Sequence, residues 1–168
     1  MTISMYQASV PVLLQGLKAL SSILAKAEAN AAERKIDPQV FLSARLAPDM
    51  FTLTRQVQIA TDHAKGAPSR LSGRSAPKFE DNEASFADLQ ARIARTVELL
   101  KGFAPADIDG SHDRAIELKA GPRELSFTGL QYLLHFALPN FYFHTTTAYD
   151  ILRHNGVPLG KTDFMGVS

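Results

Sequence analysis

At 168 residues the chain has the length of one domain that buries well over half of its unfolded surface. Hydrophobic residues make up 45% and charged residues 21%, and the formal net charge is +1, with eighteen Lys and Arg scattered among seventeen acids. Bulk electrostatics therefore gives no pull toward nucleic acid. Cysteine is absent, which excludes disulfides, thiolate zinc sites and a cysteine nucleophile.

Apolar residues at alternating steps of three and four, the period of a helix facing a core, mark four long segments. In the first, Val10, Leu13, Leu17, Leu20, Leu24, Ala27 and Ala31 keep that rhythm, with Leu14 and Ile23 widening the stripe. Pro11 sits early in it. A helix that begins before Pro11 and bends there is expected, because Ile3, Met5 and Tyr6 would otherwise lie unpacked. Asp37-Pro38 reads as a cap followed by proline at the first helical position, opening a short helix to about Ala44. Pro48 is expected to open the second long helix, with Met50, Leu53, Val57, Ala60, Ala64 and Leu71 on its stripe and Gly66, Pro68 and Gly73 fraying its end. A polar loop covers 72–82. Ser85 and Asp88 have capping-box spacing with Asp in place of the usual Glu, and the third long helix carries Phe86, Leu89, Ile93, Thr96, Leu100 and Phe103 on its seam.

The period then changes. Ala115-Ile116-Glu117-Leu118 and Glu124-Leu125-Ser126-Phe127 alternate apolar and polar around Gly121-Pro122, which predicts a short β-hairpin. After Gly129, residues 130–138 either start a helix that Pro139 interrupts or one that bends there. The fourth long helix runs to about Arg153, and Asn155-Gly156 supplies a left-handed stop. The segment from Gly156 to Gly166 contains Val157, Leu159, Phe164 and Met165, and is expected to fold back over apolar surface. These elements predict a single domain over 1–168: an all-α, antiparallel four-helix bundle, with a short helix between the first two long helices and a minor hairpin before the fourth.

The runs Pro48-Asp49-Met50-Phe51, Gln56-Val57-Gln58-Ile59-Ala60, Ser85 to Ile93 and Leu138 to Lys161, with Pro139-Asn140-Phe141-Tyr142-Phe143-His144 the most specific, resemble a bacterial family known as domain of unknown function 1993. The resemblance implies a fold like that of the DinB and YfiT proteins, a helical bundle often found as a homodimer, and it brings no reaction with it. The wider DinB-like group commonly binds a divalent metal through one histidine on the second helix and two spaced four apart on the fourth, and some relatives use that site for thiol-dependent transfer or hydrolysis. Here the pattern is broken. His144 has Ala148 four residues later and Asn140 four before, and His63 stands about 90° round from the apolar stripe of its helix. No three-histidine site and no cofactor are therefore expected. The alternative is a divalent metal on His63 and His144 in a degenerate metal-assisted or thiol-dependent transferase or hydrolase.

His144 shares a helical face with Asn140, Phe141, Thr147 and Ile151, part hydrogen-bonding and part apolar, which makes these five the candidate ligand pocket. The plain alternative is a buried neutral histidine satisfied by a neighbouring acceptor. Tyr142, Tyr149 and Arg153 line the opposite face as candidates for a homodimer contact. His112 reads as turn chemistry, His135 lies just before Pro139, and His154 suits a helix C-terminus. No Gly-rich phosphate loop, HExxH or GxSxG is present, and Ser72-Gly73-Arg74-Ser75 follows no strand. No apolar run approaches the roughly 20 residues of a membrane span. Met1-Thr2-Ile3-Ser4-Met5-Tyr6 lacks a basic start, so a cytoplasmic location away from membranes is expected. A module binding a small molecule or partner near the start of the fourth helix is the reading of function; whether it is an enzyme stays open.

Overall fold

The stripe of the first segment folds as expected into a long helix, α1 (Val10–Glu33), whose Val10, Leu13, Leu17, Leu20, Leu24, Ala27 and Ala31 are all buried. The structure is a computed structural model and describes residues 3–167; Met1, Thr2 and Ser168, which the sequence reading included, lie outside it. Pro11 occupies the first turn of α1 and not a bend within it. Ser9, at φ −122° and ψ −77°, ends a separate turn, and its buried hydroxyl donates to the Met5 carbonyl at 2.6 Å. That turn buries Met5 and half-buries Tyr6 while Ile3 stays exposed. By length and composition α1 is apolar enough to cross a bilayer, which the sequence reading did not anticipate, yet its apolar stripe is spent on the core.

The short helix α2 (Pro38–Leu42) is capped as expected, with Asp37 Oδ1 accepting from the Gln39 amide at 2.9 Å. The next helix, α3 (Leu53–Leu71), starts later than Pro48 because Thr52 caps it, its hydroxyl accepting from the Arg55 amide. It also runs straight through Gly66 and Pro68, both buried, to Leu71. Ser85 caps α4 (Phe86–Lys101): its hydroxyl accepts from the Asp88 amide at 3.1 Å and donates to Asp88 Oδ2 at 2.7 Å. A single turn, α5 (Pro105–Ile108), and a 3-10 turn at Ser111–Asp113 lead into β1 (Ala115–Ala120) and β2 (Arg123–Thr128). These pair antiparallel from Ala115↔Thr128 to Ala120↔Arg123, with Gly121 at φ +59° making the turn.

After α6 (Gly129–Tyr132) the backbone widens into a π-helical stretch, Leu133–Ala137, and then continues as α7 (Leu138–His154). Pro139 thus neither breaks nor ends the helix. One wide turn absorbs its missing N–H, and the Asn140 side-chain amide donates to the Phe136 carbonyl at 2.7 Å. At the far end Gly156 (φ +88°) follows Asn155, the Val157 amide reaches the Leu152 carbonyl and the Gly156 amide that of Arg153, the paired bonds of a Schellman stop. The chain then folds back as expected: Val157 and Leu159 are buried, and α8 (Lys161–Met165) lies on α1, where Gln15 donates to the Met165 and Gly166 carbonyls.

The described fold is predominantly helical, with one two-stranded sheet. Its long-range contacts fix helix directions. Arg70 meets Tyr132, His63 meets Phe136 and Gln56 meets His144, so α3 and α7 run in opposite senses. Phe141 lies against Gly16 and Arg34 donates to the Asn155 carbonyl, so α1 and α7 run together. Thr61 meets Arg92 and Arg74 meets Phe103, so α3 and α4 also run together. The expected antiparallel neighbour is corrected for these two pairs. Residues 72–85 span up to ~46 Å when extended, more than the ~28 Å of a 19-residue helix, so the connection can return along the length of α3 before α4 begins.

Candidate functional site

His144 is 8% exposed on the inner side of α7, facing α3. Its Nδ1 lies 2.7 Å from Gln56 Oε1. The Gln56 amide nitrogen is committed to the Phe51 carbonyl at 3.2 Å, so the oxygen is the atom turned to the histidine. An amide oxygen only accepts, which puts the proton on His144 Nδ1 and leaves the Nε2 lone pair free. Burial holds the His144 pKa below its ordinary value, and the Arg55 guanidinium on α3 lowers it further. The imidazole is neutral at pH 7.

His63 stands beside it. The two rings are nearly parallel, 12° between planes, with centroids 6.0 Å apart. Burial, then the proximity of His144, lowers the His63 pKa to about 4; Asp62 opposes the shift while Arg70 and Lys65 add to it. On its other side His63 meets the edge of Phe136 at 5.7 Å. Phe136 in turn contacts Phe127 of β2 at 5.5 Å and Tyr132 at 5.9 Å. This ring cluster gives the hairpin the packing surface that an isolated pair of strands lacks.

A cavity of about 370 Å³ opens between the end of α3, the π-helical stretch and β1. It is lined by Asp62, His63 and Arg70 of α3, by Phe136 and Asn140, and by Leu118 and Lys119 of the hairpin. Of the five residues read as a pocket from sequence, Asn140 lines this cavity and His144 backs it through His63. Phe141 is not a pocket wall: its ring is fully buried on the other side of α7 against Gly16 of α1. Thr147 is buried and returns its hydroxyl to the Phe143 carbonyl at 2.7 Å, and Ile151 is core. These three departures arise because α7 is buried on two sides, against α3 and against α1. Of the proposed contact face, Tyr149 is half-buried, edge-on to Phe164 of the returning tail at 5.9 Å, whereas Tyr142 and Arg153 are exposed. His112, His135 and His154 are exposed and take no part.

The model of the family described as domain of unknown function DUF1993 matches residues 5–165. The chain belongs to this family. The DUF1993 chain is also 43% identical to a solved DinB family member protein from Shewanella denitrificans, with a TM-score of 0.87, covering 97% of this chain and 92% of that one. No curated protein matches it. The three-histidine set of the DinB-like group does not fit here: Ala148 and Asn140 flank His144, and among the described residues no three of His, Cys, Asp and Glu converge on one point. A larger hollow of about 520 Å³ lies between the 78–83 segment and α4. Its Arg92 is already committed to Thr61, the Glu80 carbonyl, Glu83, Asp62 and Asp81, while Lys78 and Arg95 of its lining pair with no carboxylate among the described residues.

Gln56, Phe136 and Arg70 escaped the sequence reading. The first left a signal: a polar Gln stands three residues after Leu53 and four before Ala60, on the apolar stripe of α3.

Proposed function

We propose that this DUF1993 protein is a small-molecule binder whose site is the cavity between α3, the start of α7 and the hairpin, and that it works without a three-histidine metal centre. The observation that carries this is His63: a neutral imidazole on the cavity wall, stacked on a second neutral imidazole that Gln56 holds in one tautomer. A neutral ring pair offers donors and acceptors at fixed positions beside an apolar ring, the composition of a pocket that orients a ligand. In this reading the four long helices make a four-helix bundle in which α1 and α7 point one way and α3 and α4 the other, supported by the contacts that fix their directions. Fragment screening by ligand-observed NMR, with hits mapped onto the His63 and Phe136 ring signals, tests it. Binding confined to the 78–83 hollow would sink the reading.

The free Nε2 lone pair of His144, with Nδ1 anchored, favours the competing one, a metal-assisted or thiol-dependent transferase or hydrolase. Elemental analysis of protein purified without an affinity tag separates the two. Stoichiometric zinc, nickel or iron, lost in a His63→Ala/His144→Ala double variant, supports the enzyme. A homodimer in the cytoplasm completes the proposal, supported by Tyr142, 40% exposed, and Phe143, 58% exposed, next to each other on α7.

A further inference from the structure

Arg70, in the last turn of α3, is half-buried and folds its guanidinium back over Gly66, one turn earlier. A Cβ at position 66 would lie 2.4 Å from Arg70 Nη1 and 3.9 Å from the Tyr132 hydroxyl, so glycine is what leaves the seat open. Glycine inside a helix is less favourable than alanine, and at this position the space it frees holds a cation. Nη1 donates to the Tyr132 hydroxyl at 3.1 Å, and the guanidinium carbon lies 5.8 Å from the centre of that ring. The head group is therefore held between Gly66 and the Tyr132 hydroxyl and has its remaining donors left for the cavity.

The charges around it do not balance. Among the described residues no carboxylate pairs with Arg70, nor with Lys119 on the hairpin wall. Asp62 is the acid that lines the cavity, and it is already taken by Lys65 and by Arg92 at 2.9 Å. A guanidinium partly removed from water, with a single neutral hydrogen-bond partner, is stabilised by an oxyanion that reaches it, and its fork suits two oxygens. Phe136 and Leu118 line the same cavity and suit an apolar body.

Building on the reading that this cavity holds a ligand, we propose that it takes a small organic anion, its carboxylate or phosphate head on Arg70 and Lys119 and its apolar body against Phe136 and Leu118. Gly66 is then a positioning residue, acting through Arg70. The test titrates the full chain at fixed ionic strength with benzoate, phenyl phosphate, benzamide and inorganic phosphate, read on the His63 and Phe136 ring signals. Benzoate or phenyl phosphate is expected to saturate at least about tenfold tighter than benzamide, and the tighter of the two assigns the head group. Inorganic phosphate is expected to bind more weakly than phenyl phosphate, because it leaves the apolar wall unfilled. Arg70→Gln is expected to lower the affinity at least about tenfold and Arg70→Lys to retain part of it. Gly66→Ala, which keeps the charge but displaces it, should mimic Arg70→Gln with an unchanged circular dichroism spectrum; this second variant keeps the test decisive if Arg70→Gln fails to fold. Equal binding of benzoate and benzamide at His63 would overturn the anion assignment and leave the ligand cavity standing. Silence at His63 and Phe136 with every probe would overturn both.

Discussion

Two imidazoles kept neutral beside each other give this protein an acid-sensitive pair, with a large downward pKa shift at His63. Its pKa is about 4 in the folded chain against an ordinary value near 6.5, so between those values the unfolded chain binds more protons. The sign follows: stability is full above about pH 6.5 and falls as the pH drops toward 4, by on the order of 3 kcal/mol for a shift of that size. His144, shifted in the same direction, adds to the loss. Urea unfolding at pH 7 and pH 4.5 checks this by difference. His63→Gln, which cannot protonate, should show a clearly smaller drop than the parent chain, and equal drops would place the acid sensitivity in other groups. At this scale the sequence was partly legible. Asn140 and His144 could be read from their shared helical face, but the approach of His63 to His144 joins residues on different helices, and helical periodicity has nothing to say about which faces meet. The seat of Arg70 over Gly66 was beyond it for a related reason: a Gly four residues before an Arg signals a close approach only once the rotamer is known.

Among the elements, α1 and α7 meet at a close approach of Gly16 to the Phe141 ring. A Cβ on Gly16 would sit 2.5 Å from Phe141 Cε1 and 2.7 Å from Cζ. Gly16→Ala should therefore destabilise by about 1–3 kcal/mol through overpacking, even though alanine is the better helix former by about 1 kcal/mol. A midpoint in urea that rises instead would show that Phe141 can move aside. The 72–85 connection presents the opposite case, a segment without regular structure held down by a buried charge. The Arg92 side chain is 2% exposed and binds Asp81, Glu83 and the Glu80 carbonyl from the connection, and Asp62 and Thr61 from α3. Removing it leaves the buried Glu83 with Gln58 as its remaining side-chain donor and no cation, so Arg92→Met is expected to cost about 3 kcal/mol and to speed limited trypsin cleavage at Lys78. Unchanged cleavage at Lys78 would mean the connection is held by Phe79 and its neighbours alone. Helix spans were legible because burial repeats every three to four residues along one chain segment. Starts were less so: Thr52 outcompeted Pro48 for the start of α3 by supplying the acceptor that a proline turn cannot, and the wide turn before Pro139 follows from no local residue preference.

For the whole molecule, the sequence could not say that α3 and α4 run in the same sense, since a connection as long as 72–85 permits either direction. Association is the property most open to measurement. Tyr149 is sheltered by Phe164, so the exposed rings that α7 offers a partner copy are Tyr142 and Phe143. Sedimentation at micromolar protein is expected to show a dimer, and Tyr142→Glu to shift it to the 18.3 kDa monomer with helix content unchanged. A dimer that survives Tyr142→Glu moves the interface to another face. The joining of α1 to α7 and the tail also shapes how this chain is made. Arg34 waits for a carbonyl 121 residues downstream, and Lys26 for Asp163, 137 residues downstream. During synthesis α1 can dock on α4 once residues 86–101 have emerged, while the side of α1 that meets α7 and α8 stays uncovered until those later elements follow. The closing of that side is therefore a non-local step, and until it happens part of an apolar helix face is open to a chaperone.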